Sequence, residues 1–133
     1  MPEGPTMRFR LDRHSGLPAY RQLVDQVRHA LRLGVLCPGD QLPTVREVVK
    51  QIAINPNTVH RAYRELEQQG LTEGRPGSGT FVKRSLSTAP EQQPLLQRRL
   101  EGWIDTARKA GLGDEAIEAL FAEAMHTVGE EEL

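Results

Sequence analysis

Residues 55–63 read NPNTVHRAY, so Asn55, Pro56, Asn57 and Thr58 crowd short polar groups onto one end of a helical pattern. Val59, Ala62, Tyr63 and Leu66 then recur at helical spacing. At about 100° per residue, Asn57, Arg61, Arg64 and Gln68 project to the opposite side, with His60 on the flank. Asn55 suits an N-cap. Pro56 suits the first helical position, because it has no N–H to lose and its φ is already set. The remaining free N–H groups and the positive end of the helix dipole suit phosphate. Asn can also pair with adenine through two hydrogen bonds, and short side chains let the helix end approach a groove closely. Capping alone requires only one of these residues. The stretch is either a capped, solvated helix start or a helix end built to touch a polyanion.

Other residue types that could do chemistry give less. His14, His29 and the lone Cys37 have no zinc spacing between them and are expected as surface or filler; one cysteine forms no internal disulfide. Gly77-x-Gly79-Thr80 could cradle a phosphate, but a P-loop needs a following Lys and helix, and Phe81-Val82 continues as strand. No metal cluster, activated nucleophile or paired carboxylates stand out, so no metal, no cofactor and no enzymatic activity is expected.

The elements that position these residues follow from local signals. Arg8 to Leu11 alternates and reads as a short strand or an extended arm. From Pro18, Tyr20, Leu23, Val24, Val27, Ala30 and Leu31 fall at helical spacing, with Gly34 as the stop. CPGDQLP supplies a Pro-Gly turn and a short extended piece. Thr44-Val45-Arg46-Glu47 fits a capping box, and Val45, Val48, Val49 and Ile52 give a second helix over residues 45–52. Ala53 and Ile54 join it tightly to the helix of the opening stretch. Such a join, followed by a helix that opens on polar residues, predicts a helix-turn-helix. After Gly70, LTEG, RPGSG and TFVK read as two short strands around a Gly-rich turn. The expected fold is mainly α with a small β-hairpin wing: a winged helix-turn-helix, followed by a short two-helix segment.

Length and charge agree. At 133 residues the chain has room for one compact domain and a modest appendage, and its 38% apolar content leaves little for a deep cavity. Residues 1–84 hold 13 Lys/Arg against 8 Asp/Glu, whereas residues 85–133 hold 4 against 10. A basic front and an acidic rear fit a polyanion-binding domain carrying a separate module. No run of roughly 18 apolar residues is present, which excludes a membrane-spanning helix, and MPEGPTM lacks a signal pattern; a cytoplasmic protein is expected.

GDQLPTVRE, INPNTVHRAYRELEQQG and GSGTFV, in that order and spacing, resemble the N-terminal domain of GntR-type bacterial transcription regulators. The resemblance covers residues 9–84. The short tail and the NPNTVHRAY wording are similar to the YtrA subfamily, in which a brief helical dimerisation segment replaces a large effector domain. The resemblance implies base contact by Arg46, the Arg of the Pro-Thr-x-Arg motif, and DNA contact by Thr44 of the same motif. It implies DNA contact by Asn55, Pro56, Asn57, Thr58 and His60 at the recognition-helix start, and by Arg75 and Gly77 at the wing tip. Arg61 and Arg64, further from the helix start, read as phosphate contacts or plain surface. Val48-Val49 stands where Leu-Ala is more usual, which touches packing and not contacts.

Residues 85–94, SLSTAPEQQP, form a polar, Pro-bounded linker. Over residues 95–129, Leu96, Leu100, Trp103, Ile104 and Ala107 form one apolar stripe, and Ile117, Leu120, Phe121, Ala124 and Val128 another, with Gly111-Leu112-Gly113 between them. An αα-hairpin of this size has more apolar face than it can hide alone. The expected use is a homodimer interface, which matches a palindromic operator; folding back onto the winged helix is the alternative. Trp103 then belongs to the interface core.

The expected function is a sequence-specific DNA-binding repressor, acting as a homodimer on double-stranded DNA and, by resemblance, controlling a transporter operon. The competing reading is an adaptor whose acidic tail recruits a partner while the winged helix only tethers. No effector ligand is readable; the tail is too short for a conventional pocket.

Overall fold

The computed structural model describes residues 7–87 and 92–131. The chain divides into two compact units, residues 1–90 and 91–133.

In the first unit, α1 (Ala19–Arg32) buries Leu23, Val24, Val27, Ala30 and Leu31, the stripe expected from their spacing. Gly34 takes φ 74°, a left-handed value that ends the helix. The Val35 N–H then reaches back to the Ala30 carbonyl at 2.9 Å, and Leu36 enters the core. α2 (Val45–Ile52) opens on a complete capping box: the Thr44 hydroxyl accepts the Glu47 N–H at 3.1 Å and the Glu47 carboxylate accepts the Thr44 N–H at 2.8 Å. α2 ends at Ala53, whose φ of 50° turns the chain into α3. Arg13 donates to the Ile52 carbonyl at 3.1 Å, covering one of the acceptors that a helix end leaves unpaired.

α3 (Pro56–Gln68) packs Val59, Ala62, Tyr63 and Leu66 against α1 and α2. Two short strands follow, β1 (Thr72–Arg75) and β2 (Gly79–Val82), antiparallel with Thr72 opposite Val82 and Arg75 opposite Gly79. The extended piece before α2 pairs with the other edge of β2. Gly39 N–H donates to the Val82 carbonyl, Val82 N–H to Asp40, and Leu42 N–H to Thr80, at 2.8–2.9 Å. Leu23, Leu31, Leu36, Leu66 and Leu71 are fully enclosed at the centre, each burial stabilising by about 1.5–3 kcal/mol.

The expected strand or arm at residues 8–11 is an arm without strand pairing. Phe9 is buried, and the arm is held by side chains. Gln26 accepts the Arg10 N–H at 2.9 Å and donates to its carbonyl at 2.7 Å; Gln22 does the same for Asp12 at 2.9 and 3.0 Å. Two extended residues advance about 6.7 Å and four helical residues about 6 Å, so glutamines one turn apart match alternate residues of the arm.

The second unit is a hairpin of α4 (Gln93–Lys109) and α5 (Asp114–Glu131). Its boundary corrects the linker expected over residues 85–94. Gln93 and Pro94 already lie in the first turn of α4, because a proline there loses no helical hydrogen bond. Residues 88–91 of that expected linker lie outside the described residues. Gly111, at φ 100°, makes the turn, and Arg108 pairs with Asp114 across it at 3.1 Å.

Candidate nucleic-acid interface

The head of α3 carries the first part of the site. The Asn55 side chain accepts the Asn57 N–H at 2.8 Å, so Asn55 is the N-cap and Pro56 the first helical residue. The Thr58 N–H donates to the Asn55 carbonyl at 3.0 Å. With Pro56 lacking an N–H, this overturns the expectation that free N–H groups here await phosphate. Asn55 has used them. What the helix end still presents is its dipole and the side chains of Asn57 and His60, both exposed, with Thr58 half-buried.

The second part comes from α2. Arg46 is exposed in its first turn, one residue before Glu47 of the capping box. Thr44 is occupied as the cap, so its hydroxyl serves the helix first. The two helices are pinned together by Tyr63, whose hydroxyl donates to the Pro43 carbonyl at 2.6 Å. Burial, and then the nearby Glu47 charge, push the Tyr63 phenol above its ordinary range, which keeps it a donor.

The third part is the wing. Gly77 takes φ 77° at the tip, where the Ser78 N–H closes the turn onto the Arg75 carbonyl at 2.9 Å. Arg75 lies over the Phe81 ring, 4.3 Å from its centroid, and pairs with Glu73 at 2.9 Å. That hydrogen bond from Arg75 holds the Glu73 carboxyl below its ordinary range. Thr44, Val45, His60, Tyr63, Arg64, Glu67, Gly79 and Thr80 line a cleft of about 250 Å³ between α2, α3 and the wing.

The structure therefore brings Thr44, His60 and Arg64 to one cleft. Arg61 does not join them. Its guanidinium lies over the Tyr20 ring of α1, 3.7 Å from the centroid, on the other flank of α3. In the sequence Tyr20 belongs only to the apolar stripe, and Glu67 and Gln41, which bond to Gly74 and Ser78 of the wing, carry no signal. Nothing local marks those contacts, since each depends on how separate elements approach.

On the hairpin, Leu96, Leu100, Leu120 and Phe121 are exposed, Trp103 is 37% exposed, and Ala124 and Val128 are exposed. Ile104 is half-buried. Ala107 and Ile117 are buried in the hairpin itself, Ile117 still bordering the cleft described next. Leu100, Trp103, Ile104, Ile117, Glu118 and Phe121 border an apolar cleft of about 370 Å³.

The sequence pattern of bacterial regulatory proteins of the gntR family matches residues 19–82. The chain is 40% identical over 104 residues to an uncharacterized HTH-type transcriptional regulator, YhcF of Bacillus subtilis, covering 77% of this chain and 86% of that one. It is 35% identical to the HTH-type transcriptional repressor YtrA of the same organism, covering 78% and 82%. Among solved structures, YtrA from Sulfolobus acidocaldarius, described as a GntR-family transcription factor, aligns with a TM-score of 0.54 at 27% identity. That alignment covers 72% of this chain and 99% of that one. AraR(DBD) in complex with operator ORX1 aligns with a TM-score of 0.52 at 26% identity over 57% of this chain and 98% of that one. The winged-helix fold, and a match to relatives that runs through most of the chain, have one meaning: this protein belongs to the GntR family of bacterial regulatory proteins, is YtrA-like, and is a transcriptional regulator.

Proposed function

We propose that the chain is a cytoplasmic, sequence-specific repressor that binds a palindromic operator as a homodimer. The observation that carries this is the division of labour at the head of α3. Asn55 alone satisfies the helix end, which leaves Asn57 and His60 exposed with no capping task, and Arg46 is exposed on the neighbouring helix. The exposed apolar residues Leu96, Leu100, Leu120 and Phe121 support pairing of the hairpin with its copy, and the similarity to a protein named as a transcriptional repressor supports repression. Two heads on half-sites about one helical turn apart, roughly 34 Å, would occlude a promoter. On the resemblance the target is a transporter operon.

The test compares Arg46→Ala and Asn57→Ala with the unaltered protein by fluorescence anisotropy at one salt concentration. One duplex is an operator selected from a random pool, the other its scrambled version. A bidentate base contact is worth roughly 1–3 kcal/mol of discrimination, so each variant should lose that much on the operator and little on the scrambled duplex. Equal losses on both would mean that these residues hold phosphate without reading sequence.

A further inference from the structure

Glu67 is out of place on electrostatic grounds. It lies on the wing-facing flank of α3 and lines the same cleft as His60 and Arg64, the side that the proposed function turns toward a polyanion. A carboxylate there repels phosphate. Its geometry gives it a different task. The Glu67 side chain accepts the Gly74 N–H of β1 at 2.8 Å, which ties the recognition helix directly to the hairpin. An added Cβ at Gly74 would stand 3.2 Å from the same carboxylate oxygen, a tight approach that the glycine avoids.

A second tie reaches the hairpin from the opposite side. Gln41, in the extended piece before α2, donates to the Ser78 carbonyl at 3.1 Å, and its amide occupies the space a side chain at Gly79 would need. A Cβ at Gly79 would come within 2.5 Å of that amide nitrogen, and Gly79 also holds φ 125°. Gly79 thus makes room for a side chain that comes from outside the wing, and Gly74 relieves a tight approach by another. Residues 74 and 78 flank the tip, so the two ties grip the hairpin on either side of Arg75 and Gly77.

We infer that Glu67 and Gln41 are positioning residues that fix the angle of the wing relative to the recognition helix, so that tip and helix meet DNA as one preformed surface. Ordering the wing before contact removes that ordering cost from binding. This rests on the reading of the wing tip as a DNA contact.

The test uses the full chain and an operator duplex selected by it from a random-sequence pool, with affinity and hydroxyl-radical footprints as readouts. Glu67→Ala removes both the charge and the acceptor; Glu67→Gln removes the charge and keeps the acceptor. If Glu67 is a tie, Glu67→Ala weakens operator binding roughly tenfold and loses protection on the DNA flanking the recognition-helix footprint, while protection by the helix stays. Glu67→Gln then binds with the full footprint, and Gln41→Ala repeats the loss of flanking protection. If Glu67 is only a charge, Ala and Gln variants behave alike, and both tighten binding or leave it unchanged; that result overturns the inference, as does an intact footprint in Gln41→Ala. Arg75→Ala separates the two readings. If it binds like the unaltered protein, the wing contact itself is wrong. If it weakens binding while Glu67→Ala does not, only the tie is wrong.

Discussion

At the scale of single residues, the sequence exposes chemistry that is local and hides chemistry that is reached across the fold. Asn55, Thr44 and Glu47 could be assigned from their own neighbours, because a cap bonds to N–H groups two or three residues away. The Tyr63 hydroxyl could not, since its acceptor, Pro43, is 20 residues away in the chain. Arg61 over Tyr20 needs the crossing of α3 on α1. Tyr63 makes a prediction of its own. Its folded-state pKa is raised, so the folded protein keeps a proton that the unfolded chain gives up near pH 10. Stability from this group is full below that pH and falls as pH rises through it. Tyr63→Phe leaves the Pro43 carbonyl without its donor and should cost about 1 kcal/mol at pH 7. The gap should close above about pH 10, where only the unaltered protein has a phenol to ionise. Urea melts of both proteins at neutral and alkaline pH measure it. A gap that stays constant would mean that the hydroxyl is not held in the buried bond.

At the scale of elements, α2 and α3 begin where capping residues put them, and the wing turns where Gly77 allows a positive φ. The start of α4 is ambiguous in the sequence because Pro94 fits two roles, the end of a linker and the first turn of a helix; the structure places it in the first turn. The packing of the wing was also hidden. Its two strands are legible in alternation and glycines, but the ties from Glu67 and Gln41 are not, because exposed Glu and Gln look like plain helix and loop surface. Asn55, the cap of α3, and Asn57, in its first turn, provide a test that separates a structural role from a reading one. Asn55→Ala should cost about 1 kcal/mol, a melting temperature lower by roughly 4–8 °C, since the Asn57 N–H loses its acceptor. Asn57→Ala should melt within about a degree of the unaltered protein, because its side chain caps nothing. Calorimetry of the pair decides the matter. If Asn57→Ala melts as low as Asn55→Ala, the head of α3 is structural throughout and the reading role falls.

At the scale of the whole molecule, residues 1–84 carry an excess of basic side chains and residues 85–133 an excess of acidic ones. Among the described residues no helix is long and apolar enough to cross a membrane, so a membrane-spanning role for the exposed leucines of α4 and α5 has no support. Ala107 and Ile117 are buried, and the exposed apolar residues of the hairpin include Leu96, Leu100, Trp103, Leu120 and Phe121. If that surface pairs with its copy, a chain ending at residue 87 should sediment as a monomer, while the core of the first unit, which contains none of these residues, keeps its melting transition. Trp103→Ala should weaken the dimer by about 3–5 kcal/mol, as loss of an interfacial indole requires. Operator binding responds to both, because two tethered heads bind with an effective concentration that a free pair lacks. The dependence on salt then separates dimer loss from contact loss. Log affinity should fall linearly with log salt, with a slope of about −0.9 per neutralised phosphate. The monomeric truncation engages one half-site, so its slope should be about half that of the full chain. Arg64→Ala keeps the dimer and removes one contact per head, so its slope should become shallower by about two. Titrations over a tenfold range of salt distinguish the cases. A truncation that stays dimeric, or a full chain whose affinity ignores salt, would return the hairpin to a recruiting tail and the winged helix to a tether.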